Sequence, residues 1–158
     1  MKKYILLLIL PCLSLSAWGQ AVIPQEVKQA TIVALKGSAK DNMHEEAFKW
    51  GKDASGNVLV SPSIPGLSCT QHVCHSGFTP ADPSIDARLV TVEGFTHVHP
   101  QPSLDHNWVQ TPSKADLAFA ADTPTGTINI VIAAGDKKIY FFNSKGVTST
   151  EKLKDFLK

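Results

Sequence analysis

The sequence predicts an α+β domain in which helices flank a mostly antiparallel sheet. Apolar residues recur at helical spacing near the N-terminus, whereas later segments alternate in polarity or form short β-branched runs. These segments follow the order helix, strands, helix, strands, helix, and no internal repeat is visible. Such an order is typical of helices that cover one antiparallel sheet.

The individual elements follow from apolar spacing and from the residues that begin and end each segment. In the first half of the chain, we predict a helix at 25–35 between Pro24 and Gly37, a strand at 45–50, a strand from Val58 ended by Pro62 and Pro65, and a long loop at 61–84. In the second half, we predict a strand at 87–99, a helix at 114–121 capped by Ser113, a hairpin of 127–132 with 138–142, and a short final helix capped by Thr148 and Glu151.

The first 19 residues predict a cleavable signal peptide. Lys2 and Lys3 precede an apolar run at 4–10, and Ala17 and Gly19 place small residues where a signal peptidase cuts. The run is shorter than the roughly 20 residues that span a bilayer. We therefore expect a periplasmic or secreted protein without a stable membrane anchor.

Residues 20–158 are expected to form a single domain. Two of the 15 basic residues lie in the signal peptide, so 13 basic residues stand against 14 acidic ones in the exported chain. This near-neutral balance gives no support for nucleic-acid binding. The length and charge of the chain do not predict an oligomeric state.

Two cysteines, Cys69 and Cys74, remain in the exported chain and lie in the predicted loop. In an oxidising compartment, a disulfide between them is the expected outcome. Two other interpretations stay open: a metal site with His72 and His75, and a widened haem-attachment motif with His75 as the axial ligand.

Two histidines close the longest predicted strand. His97 and His99 share one face because strand side chains repeat every second residue. Asp116 stands near the start of the next helix, where it can supply a third ligand. Zinc in hydrolytic sites takes three ligands of these types and keeps a fourth position open for water. We therefore predict a Zn²⁺ site at these three residues, with Asp105 and His106 as rival third ligands.

The segments His97-Val98-His99-Pro100 and Ser113-Lys114-Ala115-Asp116 together resemble the JAMM signature of the MPN-fold metallopeptidases. In that family a strand glutamate precedes His-x-His-Pro and Ser-x-x-Asp. The resemblance covers residues 26–143 and is closest to the bacterial branch found in secreted and toxin-associated proteins. Thirteen residues separate His99 from Ser113, more than the family usually has, so the intervening loop is enlarged.

The resemblance implies an MPN-like fold and a zinc-dependent peptidase or isopeptidase that acts on a protein or peptide. His97, His99 and Asp116 would bind the metal, and Ser113 would stabilise the oxyanion. Glu46 would transfer protons, because the apolar residues that follow it match the family's pattern. Lys49 occupies the place of a family glycine, however, and a shift of one residue would select Glu45 instead.

Three further residues near these motifs have structural interpretations beside functional ones. Glu93 shares the face of the histidines and is either a strand-surface carboxylate or a group that orients an imidazole. His44 is expected to be a solvated loop residue. Trp108 either lines the entrance of the site or packs. The alternative to an enzyme is a catalytically silent MPN-like binding or inhibitor module of a secreted system.

Overall fold

The computed structural model describes residues 22–70, 73–75, 86–102 and 108–158. The signal-peptide prediction, Asp105, His106 and His72 lie outside these residues, as do the side chains of Cys74 and His75. Among the described residues, no helix has the length and apolar content needed to cross a membrane.

The predicted α+β class is confirmed: within the described ranges, three helices accompany a mixed, mostly antiparallel sheet. The elements in chain order are α1 (Gln25–Ser38), β1 (Glu46–Lys52), β2 (Val58–Val60), β3 (Ile64–Pro65), β4 (Leu67–Thr70), β5 (Val73–His75), β6 (Thr91–His99), α2 (Lys114–Asp122), β7 (Ile128–Ala133), β8 (Lys138–Asn143), β9 (Gly146–Lys152) and α3 (Leu153–Phe156).

The main sheet has the strand order β2-β1-β6-β7-β8-β9, and β3 also pairs with β1. Only β6 and β7 are parallel among the described strand pairs, and the chain between them contains α2. The other pairs are antiparallel. The C-terminal ends of β6 and β7 therefore lie at the same end of the sheet as the start of β1.

Different helices cover the two faces of the sheet. On one face, α1 and α3 pack against a core that includes Phe48, Trp50 and Ile130. On the other face, α2 packs through Ala120 and Leu117 against β7 and β8. Alternation along the strands places His97 and His99 on the α2 face.

Gly94 allows a close contact between β1 and β6. A Cβ atom at this position would overlap the indole of Trp50, whose Nε1 donates a hydrogen bond to Thr96 Oγ1 at 3.3 Å. The register between the two strands shifts immediately beside this pair, where Trp50 lies opposite Gly94 but Gly51 lies opposite Val92. Glu93 is the extra residue of this bulge.

Three parts of the predicted order were wrong. The segment at 61–84 is not a structureless loop, because β3 adds to the main sheet and β4 pairs with β5 in a separate two-stranded sheet. The long strand begins at Thr91 rather than at residue 87. Thr148 and Glu151 do not cap a helix but belong to β9, and α3 begins after Lys152 without a side-chain cap.

Candidate metal centre

The structure brings His97, His99 and Asp116 together. Both imidazoles direct Nε2 to the same point, and these two nitrogens lie 3.0 Å apart. One oxygen of Asp116 lies 3.1 Å from His97 Nε2, and the other lies 3.4 Å from His99 Nε2. The two histidines are 8 % and 3 % exposed, so the cluster is nearly closed to solvent.

The start of α2 fixes the Asp116 carboxylate. The Ser113 hydroxyl accepts a hydrogen bond from the backbone N–H of Asp116 at 3.2 Å, and the Ser113 N–H donates to Asp116 Oδ2 at 2.6 Å. This is a complete capping box. The same carboxylate therefore caps the helix and faces both imidazoles.

Glu45, and not Glu46, faces the histidines. Glu45 Oε1 lies 3.7 Å from His99 Nε2, and its ligand atom lies within 4.8 Å of those of both histidines. Glu46 is directly opposite Val98, on the face covered by α1. Successive strand residues point to opposite faces, so Glu46, the predicted acid/base, lies on the other face from the histidines, and its alternative Glu45 lies on theirs.

Glu46 has a structural environment of its own. One carboxylate oxygen accepts a hydrogen bond from Ser63 Oγ, and the other lies 3.3 Å from His44 Nε2. The other ring nitrogen of His44 lies 3.1 Å from Asp41 Oδ2. Gly37 leaves room for this carboxylate, since a Cβ atom there would overlap it. His44 thus bridges two carboxylates and is not the solvated residue that we expected.

The backbone that presents Glu45 is held at four consecutive carbonyls. Each carbonyl accepts a hydrogen bond from outside the segment, and the donors come from α1, from residues 66–69 and from the segment after residue 107. The four bonds are Trp108 Nε1 to Asn42 O at 3.0 Å, Cys69 N to Met43 O at 2.5 Å, Ser38 Oγ to His44 O at 3.0 Å and Gly66 N to Glu45 O at 2.7 Å.

The remaining predicted residues are placed as follows. Trp108 is buried and packs, in accord with the packing interpretation. Glu93 forms an ion pair with Lys52 at 2.8 Å, as a strand-surface carboxylate does. Cys69 is disulfide-bonded.

Charges inside the cluster stabilise each other. Burial alone lowers the pKa of His97, but the nearby Asp116 carboxylate and then Glu45 raise it, and the net shift is upward. Burial alone raises the pKa of Asp116, but His97 and His99 hold it far below its usual range. The fold without a metal therefore favours an imidazolium–carboxylate pair.

The arrangement fits a divalent cation. Tetrahedral zinc with ligand bonds of about 2.0–2.2 Å requires ligand atoms about 3.3–3.6 Å apart. The two Nε2 atoms here are 3.0 Å apart, and the two oxygens of Asp116 lie 3.1 Å from His97 Nε2 and 3.4 Å from His99 Nε2. A cation would replace the proton shared within the cluster and would bind both Nε2 atoms, which lie 3.0 Å apart. The ring proton of His99 would then be on Nδ1, which is buried and has no hydrogen-bond partner among the described residues.

No family model matches the chain, and neither the curated proteins nor the solved structures provide a significant match.

Proposed function

We propose that this chain is a secreted zinc-dependent hydrolase with an MPN-like fold that cleaves an amide or isopeptide bond in a protein or peptide. The observation that supports it is the convergence of His97 Nε2, His99 Nε2 and the Asp116 carboxylate on one buried point. The nearby Glu45 carboxylate adds the proton acceptor that hydrolysis needs.

His97, His99 and Asp116 would hold the zinc ion, and Glu45 stands farther from their common point. A zinc ion held by these residues would lower the pKa of a coordinated water to roughly 7 and would polarise a carbonyl group. The greater distance of Glu45, 3.7 Å from the nearest imidazole nitrogen, suits a group that handles protons rather than a metal ligand.

The chain's own residues perform the other steps. Glu45 accepts a proton from the attacking water and delivers it to the leaving amine, and the four fixed carbonyls behind it keep its carboxylate in place. The Ser113 hydroxyl accepts a hydrogen bond from the helix and therefore keeps its own proton to donate to the oxyanion.

The test of the metal site is zinc analysis of the exported chain beside a His97→Ala/His99→Ala variant. We expect about one zinc per chain in the first and none in the second. Equal zinc content in both proteins would refute the ligand assignment.

The test of catalysis compares Glu45→Gln with Glu46→Gln by mass spectrometry of peptide-library cleavage. Loss of a general base lowers the rate about 10²–10⁴-fold, so Glu45→Gln should abolish cleavage while zinc stays bound. Glu46→Gln should retain cleavage, because Glu46 faces α1. Zinc binding without cleavage of any peptide by the wild type would favour the silent binding module instead.

A further inference from the structure

Two lysines extend the line of residues that begins at the candidate metal centre. His99 lies opposite Ala133, Ala133 opposite Lys138, and Lys138 opposite Lys152. Residues paired in this way project from the same face of a sheet. Both lysines are exposed and stand on the face and at the end of the sheet that carry the histidines.

This lysine pair is electrostatically unfavourable in the isolated protein. Like charges directly opposite on neighbouring strands destabilise a sheet. Among the residues that the structure describes, neither ammonium group forms an ion pair. An anion bound between the two ammonium groups would relieve this repulsion.

The acidic groups near the lysine pair offset its charge only in part, because other groups share them or because they face away. The Asp155 carboxylate binds Lys158 Nζ at 2.6 Å and also attracts Lys152. Asp136 accepts a hydrogen bond from the Tyr140 hydroxyl at 2.9 Å. Glu151 is opposite Ile139 and therefore projects from the other face.

We propose that Lys138 and Lys152 bind a carboxylate of the substrate and make the enzyme selective for acidic peptides. This inference rests on the proposed hydrolase function. Strands lie about 4.8 Å apart, so the lysine pair begins about 10 Å from His99 and ends about 15 Å from it. An extended peptide covers that distance in about three or four residues. The carboxylate is therefore an acidic side chain, or the C-terminus, three or four residues from the scissile bond.

The experiment measures binding of fluorescein-labelled peptides to the zinc-loaded full chain at low ionic strength by fluorescence anisotropy. A Gly-Glu repeat with an amidated end is compared with its Gly-Gln counterpart, and an uncharged peptide with a free C-terminus tests the second source of carboxylate. Ion pairs at exposed sites are individually weak, so we expect about a three- to tenfold preference for the acidic peptide.

Lys138→Gln/Lys152→Gln should abolish this preference, and Lys36→Gln/Lys40→Gln is the matched control. The control removes the same charge from the last turn of α1 and the residues after it, on the opposite side of the sheet, and should leave the preference intact. An equal loss in both variants would show a general charge effect and overturn the inference. Tighter binding of a thymidine oligonucleotide than of the acidic peptide would also overturn it.

Two further readouts separate this inference from the metal site. Lys138→Gln should raise the melting temperature by about 1–4 °C, because it relieves the repulsion and keeps the attraction between Lys152 and Asp155; an unchanged or lower value contradicts the unfavourable pairing. Zinc content should be equal in wild type and both double variants. If the protein binds zinc but does not prefer the acidic peptide, this inference alone is overturned. If it prefers the acidic peptide but binds no zinc, the proposed function is overturned, and the binding of carboxylates by Lys138 and Lys152 still holds.

Discussion

Asp116 should be both a helix cap and a metal ligand, and the two roles can be separated by mutation. Ser113→Ala removes the hydroxyl that accepts the Asp116 N–H but leaves the carboxylate. Asp116→Asn keeps an oxygen that accepts the Ser113 N–H but removes the charge that zinc requires. We expect Ser113→Ala to lower stability equally with and without zinc, and Asp116→Asn to abolish stabilisation by zinc.

The sizes of the two effects allow them to be resolved. Loss of an N-cap costs about 0.5–2 kcal/mol. Zinc at a free concentration of about 100 times its Kd stabilises the folded state by about 2.7 kcal/mol. For a domain of this size about 1 kcal/mol shifts the melting temperature by about 4 °C. The zinc shift should therefore be about 10 °C in the wild type and in Ser113→Ala, and absent in Asp116→Asn.

The assay is thermal unfolding followed by circular dichroism, with chelator and then with buffered zinc. Because the helix cap stabilises the protein both in chelator and in zinc, Ser113→Ala should lower the melting temperature by the same amount in the two conditions. An undiminished zinc shift in Asp116→Asn would show that this carboxylate does not bind the ion. The absence of a zinc shift in the wild type would refute the metal centre itself.

Three other perturbations probe the support of the site. Gly94→Ala should destabilise the protein by about 1–3 kcal/mol in urea unfolding, because its Cβ overlaps the Trp50 indole; an unchanged midpoint contradicts this packing. Ser38→Ala leaves a carbonyl without its donor and should lower stability by about 1–3 kcal/mol in the same assay, and a neutral result would show that the hydrogen bond is dispensable. The pH dependence of melting should reverse on metal loading. In chelator, the raised pKa of His97 contributes stability that is complete below the unfolded pKa of 6.5 and is lost as the pH rises through the folded pKa. The lowered pKa of Asp116 contributes stability that is present above its unfolded pKa of 3.8. Zinc requires neutral imidazole, so its stabilisation should instead grow with pH, and parallel curves in the two conditions would contradict this.

Local patterns predicted much of the fold because they depend on neighbouring residues. The first helix followed from apolar spacing after Pro24, although α1 continues past Gly37 to Ser38. The hairpin of β7 and β8 followed from two β-branched and aromatic runs around a glycine turn. The Ser113 cap followed from the residue type.

The errors arose where tertiary contacts decide the outcome. Thr148 and Glu151 have the spacing of a capping box, but pairing with β8 makes this segment a strand. The residue type of Pro65 predicts the end of a strand, yet Pro65 lies in β3 opposite Glu46, since a proline can occupy an edge strand. The parallel pairing of β6 and β7 depends on the crossover through α2 and has no local signature.

The choice between Glu45 and Glu46 shows most clearly what the sequence left undetermined. Both glutamates precede the same apolar residues, and the register between β1 and β6 decides which one faces the histidines. The deciding contacts are the hydrogen bonds to the carbonyls of residues 42–45 and the space that Gly37 leaves for Glu46. Three of the four donors to these carbonyls, Gly66, Cys69 and Trp108, come from segments distant in sequence. The carboxylate that faces the histidines is therefore selected by the packing of β1 between α1 and the segment at 66–69. Under the proposed function, a substitution at either support should lower activity while zinc content stays unchanged.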